Sequence, residues 1–294
     1  PFGFSFGWML GLVGLAVAVG VYPIIRRLLQ RLETLQRSVQ RFGEGDLSVR
    51  VSEQGQDEVA DLARQFNAAA ARIEALVKTH KSLLANASHE LRSPLTRIRM
   101  GLELMGGNQP SPAFREEILR NIAELDQLVD EILLASRLDA READVGTVEL
   151  VDLIGLAAEE CARVDAELDV TAVPEGLEVR GVAKLLRRAL RNLLENARRY
   201  SQGDITVVLQ RHDGQAQLSV LDRGPGVPPA LRERIFEPFY RLPGASERAG
   251  GVGLGLALVR SIAQRHNGSV RCEDQPDGSG GACFVLRLPL ALTK

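Results

Sequence analysis

The 294-residue chain is 45% hydrophobic but only 4% aromatic, so it can build more than one core and favours helices over a β-sandwich. Its net charge of −2 leaves no overall nucleic-acid footprint, and basic clusters such as "RRALRNLLENARRY" read as solvated helix faces. Three cysteines, Cys161, Cys272 and Cys283, are too few for a disulfide framework and lack C-x-x-C spacing, which suits a reducing compartment.

Residues 1–25, "PFGFSFGWMLGLVGLAVAVGVYPII", carry no charge. As a helix they span roughly 37 Å, enough for a hydrocarbon layer of about 30 Å. A signal peptide would place positive charge before the apolar run and a small-residue cleavage site after it. Instead Arg26, Arg27 and Arg31 follow, which predicts a membrane-spanning helix with everything downstream in the cytoplasm. The chain opens on Pro rather than Met, so a piece or mature form of a longer protein is expected.

Ile25, Leu28, Leu32, Leu35, Val39 and Phe42 then alternate steps of three and four, a coiled-coil seam. The glycine-rich stretch "GEGDLSVRVSEQGQDE" interrupts it, and a second seam follows through Val59, Leu62, Phe66, Ala69, Ile73 and Leu76. Two short heptad helices joined by such a connector, directly after a membrane helix, resemble a HAMP linker over residues 23–77. Pro23, the "GDL" of the connector and Glu58 match that family's pattern.

"ASHELRSPLTRI" lies in the next helix, whose apolar stripe is Leu84, Ala87, Leu91, Leu95, Ile98, Leu102 and Met105. At about 100° per residue, His89 falls roughly 160° from the centre of that stripe, with Ser93 beside it. A zinc-protease helix would need a second histidine where Ser93 stands. Pro94 removes a helix hydrogen bond and frees the carbonyl of Glu90, next to the histidine. On these residues alone, a surface histidine on a charged helix remains the simpler reading. The two stripes are also out of phase: two steps of four fall together near His80, a stutter that unwinds a left-handed supercoil.

A break at "GGNQPSP" (106–112) precedes a returning helix with Ile118, Ile122, Leu125, Val129 and Ile132 on one face. A lone hairpin cannot bury both sides of its stripe, so pairing into a dimeric four-helix bundle is expected. From about residue 144 the pattern changes to an α/β layered domain. "ITVVLQRHDGQAQLSVLDRG" reads as two strands around a D-G turn and "GACFVLRLPL" as another strand, with helical stretches between.

Three polar clusters mark this last unit. Asn192 and Asn196 lie one turn apart and suit a magnesium that also bridges phosphates. Asp222 ends a strand, with Gly224 and Gly226 letting backbone approach a flat base. Gly251, Gly253 and Gly255 open a helix whose free N–H groups favour phosphate. No Walker loop or Rossmann turn is present, because Leu256 replaces the lysine and strand, turn and helix are not contiguous.

Together and in this order, these clusters resemble the N, G1, F and G2 boxes of histidine kinase ATP-binding domains, with "IFEPFYR" (235–241) as the F box. "SHELRSPL" is similar to their H box. The resemblance, to membrane sensor histidine kinases of two-component systems, covers nearly the whole chain. It implies a transmembrane helix (1–22), a HAMP parallel coiled coil (23–77), a dimerisation and phosphotransfer hairpin (78–143) and a two-layer α/β sandwich binding ATP (144–294). It implies His89 as phosphoacceptor, Glu90 as the neighbouring base and Ser93 as a residue for dephosphorylating the regulator. Asn192 and Asn196 would hold Mg²⁺, Asp222 would accept from the adenine amino group, Tyr200 would pack on the ring and Arg199 would reach phosphate. Gly224, Gly226, Phe236, Phe239, Gly251, Gly253 and Gly255 would complete the ATP site, under a mobile lid at 241–253. A flexible link near 140–147 would let the ATP domain swing onto His89. A homodimer, a cognate response regulator and the bilayer of a bacterial inner membrane are the implied partners, with no nucleic acid. Two departures stand out: strong phosphatases of the family often carry Thr or Asn where this chain has Ser93, and Asn267 replaces a common glycine. The rival readings are an ATP-driven machine of the topoisomerase or chaperone type, and a non-catalytic membrane scaffold.

Overall fold

An apolar run with no partner to bury it can still form a helix, because a helix satisfies its own backbone. In the computed structural model, which describes residues 2–104, 111–139, 146–173, 176–201, 203–243, 251–276, 278 and 280–291, α1 runs unbroken from Phe2 to Gly43. Every residue from 7 to 30 is exposed, with Trp8 at 71% and Ile24 at 69%. The stretch is long and apolar enough to cross a membrane. Pro23 lies inside the helix: the lost N–H costs one hydrogen bond but does not end it.

Residues 1–81 form one compact unit. The connector after α1 is pinned by Asn67, whose Oδ1 accepts from the Val51 N–H at 2.9 Å while its Nδ2 donates to the Val51 carbonyl at 2.8 Å. Asp57 caps helix α2 (Glu58–Leu104) by accepting from the Ala60 N–H at 2.9 Å. Arg31 of α1 pairs with the same carboxylate and holds its pKa below the usual range. Phe42 and Phe66 meet edge to face at 5.7 Å. The intrachain contact buries Ala60, Ala63 and Ala70, each one residue past the seam expected at Val59, Leu62 and Ala69. Alanines let two helices approach closely. Leu62, Ile73 and Leu76 of the expected seam face outward, with Leu62 still 48% exposed, whereas Phe66 packs on Phe42.

Residues 82–294 form the second unit, which begins close to the stutter near His80. Helix α3 (Pro112–Asp139) returns beside α2, starting with proline at its first position and the Ser111 hydroxyl accepting from the Phe114 N–H at 3.2 Å. The expected break therefore falls between the two helices, although Met105 and residues 106–110 lie outside the described residues. So does most of the expected link, residues 140–145. The hairpin buries Leu83, Ala87, Leu128, Ala135 and Leu138. Leu84, Leu95 and Leu102 of the expected stripe stay exposed, as do Ile122 and Val129 opposite.

The α/β unit holds a five-stranded sheet in the order β2 (Glu167–Asp169), β4 (Thr206–His212), β5 (Gln215–Leu221), β7 (Cys283–Pro289), β6 (Ser269–Glu273). All neighbours are antiparallel except β2 and β4. β1 (Glu149–Asp152) and β3 (Glu178–Gly181) make a separate antiparallel pair. Helices α4 (Leu153–Val164), α5 (Ala183–Tyr200) and α6 (Gly255–Arg265) form the second layer, and Leu190, Leu193, Leu194 and Ile262 join Val207, Leu209, Leu218 and Phe284 in the core. The β4–β5 connection is the expected D-G turn, with φ of 48° at Asp213 and 73° at Gly214, as a type I′ turn requires. Asn267 also takes positive φ, at 54°, a conformation asparagine tolerates.

His266, at the end of α6, ties that helix to the start of α5. Its Nε2 accepts from the Val182 N–H at 3.0 Å, which assigns the proton to Nδ1, 2.7 Å from the Ile262 carbonyl. Burial lowers its pKa, with Arg265 adding to the effect against the Ile262 carbonyl. Because the folded value is depressed, this stabilisation is complete above about pH 6.5 and is lost as pH falls through the lowered folded value. Calorimetry across that acid window should show a falling thermal midpoint. His266→Gln should flatten that part of the profile while costing about 1 kcal/mol at neutral pH.

Candidate functional site

The sheet and α5 converge on a cavity of about 470 Å³. Asn192, Asn196, Arg199 and Tyr200 reach it from α5, Asp222 and Gly226 from the segment after β5, and Gly251, Gly253 and Gly255 from the approach to α6. These nine expected residues are thus brought together. Gly224, Phe236 and Phe239 are not among those lining it. Phe236 is buried against Phe284 at 6.4 Å with the Arg260 guanidinium over its ring, and the Phe239 N–H donates to the Gly253 carbonyl at 3.0 Å. They shape the walls rather than the surface.

Asp222 is 4% exposed. Its Oδ1 accepts from the Gly224 N–H at 2.8 Å and the Ala282 N–H at 3.2 Å. Among the described residues Oδ2 has no partner, so one oxygen is anchored and the other is left to accept from a ligand. An exocyclic amino group matches it. The Gln275 side chain donates to the Asp222 carbonyl from behind. Across the cavity the Asn192 Nδ2 donates to the Gly255 carbonyl at 3.1 Å, which turns its amide oxygen away from that bond and joins α5 to the first turn of α6.

Gly253 has φ of 80°, and a Cβ there would come within 2.9 Å of the Phe239 and Tyr240 backbone. The Arg199 guanidinium lies against Gly251, and Arg241 donates to the Gly251 carbonyl. Two cations therefore stand where the helix N-terminus already favours phosphate. Of the expected lid at 241–253, residues 244–250 lie outside the described residues.

His89 is exposed on α2, Glu90 is half-buried beside it, Ser93 is exposed one turn on, and Pro94 is buried. Among the described residues α2 contributes nothing to the cavity, whereas α3 supplies Arg120, Glu124, Gln127 and Leu128 to its wall. Sequence reasoning missed this wall, along with Tyr240, Arg241 and Phe284. The first two lie inside "IFEPFYR", a signal that pointed to the right segment. Nothing local marks α3 as a cavity wall.

Residues 24–75 match the HAMP domain, 79–141 the His Kinase A (phospho-acceptor) domain, and 181–292 the histidine kinase-, DNA gyrase B- and HSP90-like ATPase family. The chain is 34% identical over 288 residues to the sensor protein RstB of Escherichia coli K12, covering 96% of this chain and 65% of that one. It is 35% identical over 244 residues to the sensor histidine kinase CpxA of the same strain, covering 81% and 53%. It is also 33% identical over 299 residues to the histidine-protein kinase/phosphatase MprB of Mycobacterium sp. KMS, covering 96% and 58%. The chain thus spans between about half and two thirds of the length of these relatives. Its fold is similar to the Acinetobacter baumannii histidine kinase AdeS, with a TM-score of 0.57, 23% identity, and coverage of 69% of this chain and 98% of that one. It is similar too to histidine kinase ThkA in complex with the response regulator TrrA, with a TM-score of 0.59, 24% identity, and coverage of 80% and 68%.

The ATPase match and the half-free carboxylate give a direct test of the cavity. Asp222→Asn would set an amide donor against an amino donor, and should weaken ATP binding about tenfold. Gly253→Ala should weaken it on a similar scale of about tenfold, through backbone strain rather than a lost contact. Titration calorimetry with a non-hydrolysable ATP analogue would check both.

Proposed function

We propose, for a chain that belongs to the HAMP-containing sensor histidine kinases, that it phosphorylates its own His89 from ATP and passes the phosphoryl group to an aspartate of a separate response regulator. The combination of an outward His-Glu pair on the phospho-acceptor helix with a cavity whose buried carboxylate keeps one oxygen free carries this reading. MprB is described as a kinase/phosphatase and ThkA is seen with a regulator, which supports the second step and hydrolysis of the regulator's aspartyl phosphate. The domain limits follow the same reading: 1–22 in the membrane, 23–77 as HAMP, 78–143 as the phosphotransfer hairpin and 144–294 for ATP.

The nucleophile is a neutral imidazole nitrogen, whose lone pair attacks phosphorus. Glu90 would orient the ring and take its proton as the N–P bond forms. Asp222 would fix the adenine, Tyr200 would cover it, and Arg199 with the first turn of α6 would hold the phosphates, so that catalysis rests on positioning and charge neutralisation. Asn192 and Asn196 present amide oxygens one turn apart and would hold Mg²⁺, which would supply that neutralisation. Since α3 rather than α2 walls the cavity, the ATP domain must move along the hairpin, or meet another copy, before transfer to His89. The exposed leucines of α2 and the outward Ile122 and Val129 of α3 would be covered by a second copy, forming a four-helix bundle. The uncovered apolar helix followed by Arg26, Arg27 and Arg31 would anchor the dimer in a bacterial inner membrane, with the other units in the cytoplasm. Neither charge nor site calls for nucleic acid.

Incubation with γ-labelled ATP should leave label on the protein in an acid-labile, base-stable form. His89→Gln should abolish the label while ATP binding persists, because the two sites lie on different elements. Label retained on His89→Gln would sink the assignment.

A further inference from the structure

Helix hydroxyls commonly donate back to the carbonyl four residues earlier, and two on α2 do so: Ser88 to Leu84 and Thr96 to Arg92, each at 2.8 Å. Ser93 does not. Among the described residues its one hydrogen bond is accepted, from Arg97 Nη1 at 3.1 Å. Its proton is uncommitted, and the side chain is exposed one turn from His89.

The rest of the Arg97 guanidinium is committed to α3. Nε donates to Asn121 Oδ1 at 2.7 Å and Nη2 to Glu124 Oε2 at 2.8 Å. Asn121 is only 7% exposed and its Nδ2 donates to the Glu117 carbonyl at 2.8 Å, so its amide cannot turn without losing a bond. With Nε and Nη2 both tied to the partner helix, the plane of the fork is fixed and Nη1 is held toward Ser93. Serine needs this help: it lacks the β-methyl that stiffens threonine at χ1.

We propose that Arg97 is a positioning residue for Ser93 in hydrolysis of the regulator's aspartyl phosphate, an inference that rests on the kinase/phosphatase reading above. Arg97 occupies one lone pair of Oγ. The remaining lone pair accepts from the attacking water, and the O–H donates to a phosphoryl oxygen. Water oxygen bonds to phosphorus, the bond from phosphorus to the aspartate oxygen breaks with its electron pair on the carboxylate, and the water proton passes to solvent. Aspartate and inorganic phosphate are the products.

The test uses a response regulator chosen because it takes label from the autophosphorylated chain, then charged with acetyl phosphate. Ser93→Ala and Arg97→Ala should each lower kcat for dephosphorylation about tenfold with KM little changed. The double variant should be no slower than Ser93→Ala alone, and Arg97→Lys should fall between, because an ammonium cannot span three acceptors. If Arg97→Ala does not fold, Arg97→Lys with and without Ser93→Ala carries the same comparison. Losses that multiply to about a hundredfold in the double variant, or a rise in KM at constant kcat, would assign Arg97 to folding or docking and overturn the proposal. Full phosphatase activity in Ser93→Ala, or none in the wild type, would overturn the phosphatase reading itself and this inference with it.

Discussion

A single carboxylate, Glu160, is held 2% exposed between two arginines of α5, and the second unit is organised around that clamp. Arg191 grips it with two hydrogen bonds, at 2.9 Å from Nε and 2.8 Å from Nη2, and Arg187 adds a third contact. The Arg191 hydrogen bond is the largest cause holding the Glu160 pKa below the usual range, against a burial penalty that would raise it. Removing one partner of such a pair costs about 3 kcal/mol, because the other charge stays buried. Neighbouring positions on α5 extend the clamp. Arg188 pairs with Glu131 of α3 at 3.0 Å, and Asn192 bonds to the first residue of α6. Within two turns, one helix is tied to α4, α3 and α6.

That arrangement explains why the cavity has the shape it has. The helix that lends Asn192, Asn196, Arg199 and Tyr200 to the ligand side cannot roll, because its opposite side is locked by guanidinium forks. The sheet fixes the other wall: β5 ends at Leu221, opposite Cys283, and the next residue, Asp222, donates its N–H to the Ala282 carbonyl at 3.0 Å while its Oδ1 accepts from the Ala282 N–H. The acceptor helix plays no part in this construction. His89 is exposed on α2, whereas the cavity wall comes from α3 of the same hairpin, so the groups proposed to react would be brought together by movement of the ATP-binding layers relative to α2. Phosphoryl transfer depends on alignment, and such a separation would make the alignment controllable.

Much of this was legible because long elements advertise themselves. The uncharged run of α1 and the heptads of α2 repeat a signal over many residues, and the strand patterns of β4 and β5 flank an unmistakable two-residue D-G turn. β1, β2 and β3 did not: strands of three or four residues owe their existence to pairing, and no alternation is visible in so short a window. The seam at Val59, Leu62 and Ala69 follows from heptad spacing, whereas the chain's own contact buries Ala60, Ala63 and Ala70, one residue further on. Phe236 was read as a ligand contact because its box suggested it, yet it fills the core against Phe284. Arg97 and Asn121 are 24 residues apart, and only the antiparallel return of α3 makes them neighbours.

The three cysteines lie within the same folded body, and all are buried and unpaired. Burial pushes the thiols of Cys161 and Cys283 up to about 11 and that of Cys272 to about 12. At neutral pH, then, only roughly one in ten thousand of even the more acidic thiols is ionised in the folded state. A thiolate-selective reagent would find almost nothing to attack until the structure opens, and its rate of uptake would count openings. Because the residues sit on α4, β6 and β7, digestion after labelling would reveal which layer parted first. The molecule thus carries its own clocks for local unfolding, with no residue introduced to read them.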